Sequence, residues 1–267
     1  VRSDERLGGA ANVALNVASL GVRTTLMGVV GNDENGAKLQ ELLEKAGISS
    51  RLSIDADRKT ILKLRIVARQ QQLVRIDFEE HPSNEVLSGL LTDFSEVLGD
   101  YDVLVLSDYG KGGLDYIQSM IAMAREKGIP VLVDPKGDDY DRYAGATLIT
   151  PNRAELAQVT GQWTGEEDLE NRAQALRERL GLQALLLTRS EEGMTLFTQD
   201  GALTVPAQAR EVFDVSGAGD TVIAVTAAMI AAGLPLDQTV RIANRAGGIV
   251  VGKLGTASVS YGELFGE

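Results

Sequence analysis

The chain contains no cysteine. That rules out disulfides, a thiol nucleophile and any Cys-based metal site. Histidine is nearly as scarce: His81, beside Pro82 in an acidic stretch, stands alone. A Ser-His-Asp hydrolase or a His-ligated zinc centre therefore has no support, and His81 reads as a solvated loop residue. No run reaches the roughly 18 apolar residues that a membrane span needs, and no segment reads as a signal peptide. Basic residues are in deficit, 26 against 38 acidic ones, for a formal charge of -12. That balance argues against nucleic acid or an anionic membrane as the main partner. The expectation is a soluble, cytoplasmic protein. Its 267 residues, 44% of them hydrophobic, suit one α/β domain spanning 1–267.

Short apolar runs dominate what is present. Thr24 to Val30, Asp102 to Leu106, Pro130 to Val133, Thr147 to Ile149 and Ala184 to Leu187 read as strands buried on both faces. Helical periodicity marks Ala10 to Leu20, Ala37 to Ala46, Tyr116 to Lys127, Glu166 to Leu180, Thr221 to Ala232 and Leu236 to Val251. The alternation predicts a mostly parallel sheet with crossover helices. Gly8-Gly9 opens a helix close to Val1, where a parallel sheet would first supply a strand, so the expectation is that such a strand precedes Val1 in a longer protein.

Thr60 to Phe78 departs from that pattern. Residues alternate from Ile61 to Arg69 and again from Leu73 to Phe78, with Gln70-Gln71-Gln72 between them. This predicts a hairpin, about residues 58–80, inserted into the α/β domain. Alternation puts Lys63, Arg65 and Arg69 on one face and Leu62, Leu64 and Ile66 on the other. Six basic residues and no acidic one lie between Arg58 and Arg75. Local charge reversal in an acidic chain suggests an anionic ligand; a solvated face is the alternative. The apolar face needs cover from the main domain or from a second hairpin.

The segment Asp214-Val215-Ser216-Gly217-Ala218-Gly219-Asp220 precedes an apolar helix. Helix N-termini offer unpaired N–H groups and a positive dipole end to anions. Gly217 and Gly219 allow close backbone approach, and Asp220 would face whatever attacks the bound anion. A carboxylate at a phosphate cradle points to a base for phosphoryl transfer; a capped glycine turn is the bland alternative. Polar clusters also follow four strands: Ser107 to Gly112, Asp134 to Gly137, Thr150 to Glu155 and Thr188 to Ser190. In open α/β sheets ligands sit beyond those carboxyl ends. Neither a G-x-G-x-x-G turn after an early strand nor a Walker P-loop is present, which leaves Gly217 to Asp220 as the phosphate device.

Gly8 to Ala14 and Asp214 to Asp220 resemble the two signatures of the ribokinase-like (PfkB) carbohydrate kinases. Asn152-x-x-Glu155 matches that family's N-x-x-E motif, and the hairpin is similar to its β-strand lid. Thr60 to Arg65, Gln71 to Glu80, Leu106 to Gly112, Val133 to Gly137 and Val251 to Thr256 resemble the family's heptose 7-phosphate kinases. In many bacteria that branch is fused to an adenylyltransferase, which completes ADP-heptose synthesis for lipopolysaccharide. The resemblance implies a three-layer ribokinase-like fold with a small β-strand lid. It implies ATP-dependent phosphorylation of D-glycero-β-D-manno-heptose 7-phosphate at O1, giving the 1,7-bisphosphate. Another PfkB-type sugar or nucleoside kinase, or a non-catalytic sugar or nucleotide sensor, is the rival.

Carried over by position, Asp220 is the catalytic base, and Gly217, Ala218 and Gly219 form the anion hole. Asn152, Arg153, Ala154, Glu155, Thr188, Arg189, Gly193, Asn244 and Gly247 fall on the ATP side, with Mg²⁺ reached from Glu155 through water. Gly9, Asn12, Asp108, Lys111, Lys136, Lys63, Arg65 and Arg75 fall on the sugar side. Pairing of lids implies a homodimer. Val215 stands where the wider family commonly has Thr, which weakens the carry-over of a monovalent-cation site.

Overall fold

The computed structural model describes residues 4–68, 71–208, 212–253 and 255–266. Arg69, expected on the basic face, and Gln70, expected in the turn, lie outside them. In chain order the elements are α1 (Ala10–Ser19), β1 (Thr25–Gly31), α2 (Glu34–Lys45), β2 (Ser49–Asp55), β3 (Leu62–Ala68), β4 (Gln71–Phe78) and α3 (Asn84–Val97). Then come β5 (Leu104–Ser107), α4 (Ile117–Glu126), β6 (Val131–Asp134), β7 (Leu148–Ile149), α5 (Arg153–Thr160), α6 (Glu166–Arg179) and β8 (Ala184–Thr188). The chain continues through β9 (Met194–Thr198), β10 (Gly201–Val205), α7 (Ala218–Ala231), α8 (Leu236–Val250) and α9 (Tyr261–Phe265).

The central six-stranded sheet runs β10-β9-β8-β7-β6-β5. Strands β5 to β8 are mutually parallel, and β9 and β10 add antiparallel pairs at one edge. Side-chain alternation divides the core in two. Leu132, Ala184, Leu186 and Leu196 pack with α7 and α8 residues such as Val225 and Ala243. Val131, Val133, Leu185 and Leu187 pack on the other face with Ile121 of α4 and Leu176 of α6. Helices on both faces of a mostly parallel sheet make the three-layer α/β architecture.

Several elements were not anticipated. The polar segment of β2 pairs in parallel with β1, forming a separate two-stranded sheet. Strand β9, between β8 and β10, is buried like the central runs, while the edge strand β10 alternates partly buried and exposed residues. Helix α3 is capped by Ser83, whose hydroxyl accepts from Val86 N at 3.4 Å.

Strands β3 and β4 form the expected hairpin, with one change of register. Gln71 and Gln72 belong to β4, and the pairing shifts between Ile66 and Val67. Leu62 faces Phe78, Leu64 faces Ile76 and Ile66 faces Val74, so one face is wholly apolar. Among the described residues nothing covers it: exposures run from 36% at Leu62 to 50% at Phe78. The other face pairs Lys63 with Asp77 and Arg65 with Arg75.

Two aspartates fasten the hairpin's roots. Asp33 caps α2 through Gly36 N and accepts from both Thr60 N, at 2.9 Å, and Thr60 Oγ1, at 2.6 Å. Thr60 Oγ1 in turn accepts from Gly31 N at 2.9 Å. On the exit side Asp55 Oδ2 accepts from Ser83 N at 2.8 Å. His81 is exposed, yet its ring fills the space over Gly112, where a Cβ would stand 2.3 Å from Nδ1. It is a packed residue of the hairpin root, not only a solvated one.

Candidate active site

Helix α7 begins where the glycine segment ends. Gly217 is the N-cap, with φ +79 and ψ 6, a left-handed conformation that glycine adopts without strain. A Cβ there would also stand 2.9 Å from Asn12 Nδ2. Asp214 fixes the preceding loop: Oδ1 accepts from Ser216 N at 2.9 Å and Oδ2 from Gly255 N at 3.0 Å. Those bonds, Ser216 first, hold its carboxyl below the usual range. From Thr221 to Met229 the helix is buried all round, so its N-terminus is held rigidly at the sheet.

Among the described residues, no backbone acceptor takes the N–H of Gly217 or of Gly219. Ala218 N instead donates to Val215 O at 3.2 Å, which leaves it a weaker contributor to the expected anion hole. A Cβ on Gly219 would meet nothing within 4 Å, so the helix start is open on that side.

Asp220 stands in the first turn between two donors. Asn12 Nδ2 donates to Oδ2 at 2.7 Å and Tyr109 Oη donates to Oδ1 at 2.9 Å. Burial pushes the Asp220 carboxyl up, while Asn12, Tyr109 and the charge of Lys63 oppose that rise. Asn12 comes from α1 and is fully buried; its Oδ1 has no partner among the described residues. Four residues further on, Asn16 Oδ1 accepts from Thr221 Oγ1 at 3.0 Å, a second polar tie between α1 and α7. Gly9 caps α1 at φ +56, with the edge of the Tyr109 ring 3.4 Å from where its Cβ would be.

The carboxyl ends of the parallel strands bring other groups to the same rim. Asp134 ends β6, and burial first, then the charges of Asp220 and Glu155, push its carboxyl up to about 7. Thr150 Oγ1 donates to it at 3.4 Å. Asn152 and Glu155 form a capping box at the start of α5, each side chain bound to the other's backbone N–H at 3.0 Å. Glu155 Oε1 takes Lys136 Nζ at 3.0 Å, so this carboxylate already holds a cation. Thr188 lies beside Asn152 through an isolated parallel bridge.

Several residues expected on the ATP side make contacts within the protein. Arg189 is buried, with both terminal nitrogens on Glu166 at 2.8 and 2.7 Å and Nε on Glu192 at 2.9 Å. Saturated this way, its guanidinium braces β8 against α6. Arg153 pairs with Glu192 and lies 5.8 Å over the Trp163 ring, while Ala154 is exposed in α5. Gly193 is hemmed in by backbone, with Val205 O 2.1 Å from a Cβ position. Asn244 Nδ2 donates to Pro206 O at 2.8 Å, and Gly247 lies against Met194 and Val222.

On the sugar side, Asp108 is turned inward. Its oxygens accept from Gly110 N at 2.8 Å and Tyr143 Oη at 2.9 Å, with Arg142 at 3.4 Å. Lys136 turns to Glu155. Lys111 pairs with Glu79, whose other oxygen is 3.9 Å from Lys63 Nζ. Arg75 binds Asp77, two positions along the same strand, at 2.5 to 3.1 Å. The charged face is therefore mixed: strand periodicity puts Asp77 beside Arg75 and opposite Lys63. Sequence reading did not single out Tyr109 or Glu79, although both lie in segments it had marked.

No group of three or more His, Cys, Asp or Glu among the described residues could hold a metal ion alone. The oxygen donors of Glu155, already seated on a cation, suit Mg²⁺, which binds through one or two carboxylates with phosphates and water. No helix among the described residues is long and apolar enough to cross a membrane.

Comparison with known proteins places this geometry. The pattern of the pfkB family carbohydrate kinases matches residues 3–261. D-beta-D-heptose 7-phosphate kinase of Bordetella bronchiseptica is 54% identical over 266 residues, covering 100% of this chain and 85% of that protein. Bifunctional protein HldE of Pseudomonas putida is 54% identical over 262 residues, 98% of this chain and 55% of that protein. The chain thus spans just over half the length of its bifunctional relatives. Phosphofructokinase-2 from Escherichia coli, solved with potassium, has the same fold at TM-score 0.83 and 21% identity, covering 97% of this chain and 85% of that one. Ribokinase from Giardia lamblia matches at TM-score 0.83 and 18% identity, over 97% and 88% of the two chains. With a glycine-started helix, a carboxylate in its first turn and a hairpin at the sheet's carboxyl edge, this chain belongs to the pfkB family of carbohydrate kinases.

Proposed function

We propose that the protein phosphorylates D-glycero-β-D-manno-heptose 7-phosphate at O1 with ATP, giving the 1,7-bisphosphate used in ADP-heptose and lipopolysaccharide core synthesis. The observation that carries the chemistry is Asp220, held by two donors beside the open N-terminus of α7. The substrate rests on the 54% identity, across the whole chain, to a protein named for that sugar.

In this reading Asp220 accepts the proton of the sugar O1 hydroxyl. O1 forms its bond to the γ-phosphorus as the bond to the β,γ-bridging oxygen breaks, and ADP leaves. The N–H groups of Gly217 and Gly219 face the transferring phosphoryl group, where fixed dipoles stabilise developing charge. Glu155, through water and in competition with Lys136, would hold magnesium, which would supply charge neutralisation at the phosphates. Asn12 Oδ1, buried without a partner among the described residues, is an acceptor for a sugar hydroxyl. Lys63, Arg65 and Lys111 would take up the 7-phosphate, which displaces Glu79 from the two lysines. Closure of the hairpin would exclude water from the transferring group. The apolar hairpin face supports a homodimer in which two hairpins cover each other across a two-fold axis.

The test is ADP release with heptose 7-phosphate against fructose 6-phosphate, ribose and unphosphorylated heptose, with phosphorus NMR of the product. A new anomeric phosphate, formed with clear preference for the heptose phosphate, supports the reading. Equal or better turnover of fructose 6-phosphate or ribose assigns the chain to another pfkB activity.

A further inference from the structure

Asp220 is approached by two uncharged donors from different parts of the chain. Asn12 belongs to the sugar-side signature. Tyr109 does not: it comes from the loop after β5, and its ring lies mostly buried over the α-carbon of Gly9. Its hydroxyl is 2.9 Å from Asp220 Oδ1, and Asn12 Nδ2 is 2.7 Å from Oδ2. Each carboxylate oxygen is thus held by one donor, which fixes the plane of the group.

We propose that Tyr109 is a positioning residue for phosphoryl transfer: its phenol hydroxyl orients the Asp220 carboxylate and tempers its basicity. This rests on Asp220 being the base. The same hydrogen bond that aims the carboxylate also stabilises its charged form. Burial works the other way, favouring the protonated acid. Without Tyr109 the carboxyl would hold its proton to higher pH and rotate about one remaining donor.

The phenol itself keeps its proton throughout. Burial, and the negative charges of Asp220 and Asp134, raise the Tyr109 hydroxyl well above its ordinary range. It is a fixed donor, and the proton of the sugar hydroxyl passes to Asp220 alone. The other groups facing Asp220 are few. Lys63 on β3 opposes its protonation, Asp134 on β6 favours it, and α1 presents only neutral Asn12. Gly9 lies under the ring, where a Cβ would make only ordinary contact at 3.4 Å; its φ of +56, not space, is what calls for glycine.

The test is Tyr109→Phe, which keeps the ring and removes only the hydroxyl. A hydrogen bond to a charged group corresponds to roughly a tenfold effect or more. The kcat should fall about tenfold at neutral pH, with KM for ATP unchanged. The acid limb of kcat against pH should move to higher pH, so that part of the loss is recovered in alkaline buffer. A double-mutant cycle with Asp220→Asn adds a second readout: the residual rate of Asp220→Asn should not fall further when Tyr109→Phe is added. An unmoved acid limb, or two losses that simply add, would overturn the proposal and leave Tyr109 a packing residue. Full activity of Asp220→Asn alone would instead overturn the assignment of the base.

Discussion

Asp134→Asn should stabilise the protein, by an amount that grows with pH. In the folded chain burial, with Asp220 and Glu155 nearby, pushes the Asp134 carboxyl up to about 7, against an ordinary value of 3.8. A folded-state value above the unfolded one means that folding is favoured while the group is protonated. That contribution is fully present below about pH 4, declines as pH rises between the two values, and is lost above about pH 7. The gap corresponds to a ceiling of roughly 4 kcal/mol at about 1.36 kcal/mol per tenfold change in proton activity. Asparagine keeps the shape and the acceptor for Thr150 Oγ1, but it cannot ionise. Urea denaturation of both proteins from pH 5 to 8 gives the difference directly, because groups that titrate alike in both cancel. The variant should gain most at pH 8 and least at pH 5. A difference that is flat with pH, or that shrinks toward pH 8, would refute the claim that Asp134 is held against its own ionisation.

Asp220→Asn should lower kcat by about 10²–10⁴, the usual range for a positioned general base, with ATP binding largely kept; a purified variant retaining more than about half the activity would reduce Asp220 to a helix-start residue. Lys63→Ala combined with Arg65→Ala should raise KM for the phosphorylated sugar far more than KM for ATP, and equal changes in both would make this face merely solvated. Leu64→Asp should convert a dimer to an active-site-bearing monomer in light scattering at micromolar concentration, because it places a charge opposite Ile76 in the apolar face. A monomeric mass for the unaltered chain would end that proposal.

Much of the scaffold was legible because its signals are local. Val131-Leu132-Val133 and Leu185-Leu186-Leu187 are apolar at every position because alternate residues face two different cores. Gly217 before a helix that is buried all round announces the start of α7 by composition alone. Strands β2 and β10 were missed for the opposite reason. β2 lies in a separate pair and β10 at the sheet's edge, so polar residues such as Ser49, Ser50 and Thr204 are tolerated and the pattern fades. The immediate surroundings of the site were not legible either. Asn12 and Tyr109 reach Asp220 across 208 and 111 positions of sequence, a proximity that only the fold creates. Arg189 and Lys136 were expected to meet ligands because they follow strands in the polar rim and fall at ligand positions by the family resemblance. Sequence does not disclose that Glu166, Glu192 and Glu155 stand next to them.

The aspartates divide by what surrounds them, and the division follows the work of the fold. Asp33, Asp55 and Asp214 sit at loop starts where hydrogen bonds, chiefly from Thr60, Ser83 and Ser216, hold each carboxyl below its ordinary range. They fasten the two roots of the hairpin and the loop before α7, so their charge favours the folded state at neutral pH. Asp220 and Asp134 are the reverse: burial dominates, and each carboxyl is pushed up. Their ionisation opposes folding, and they stand together where the helix start is open. A base gains strength from being desolvated, but only if the surrounding chain keeps it from turning away to water. The ties of α1 to α7, through Asn12 and Asn16, and the stapled hairpin roots supply that restraint. Loosening a staple should therefore lower activity before it unfolds the domain, because the desolvated carboxylates are the groups that gain most from local opening.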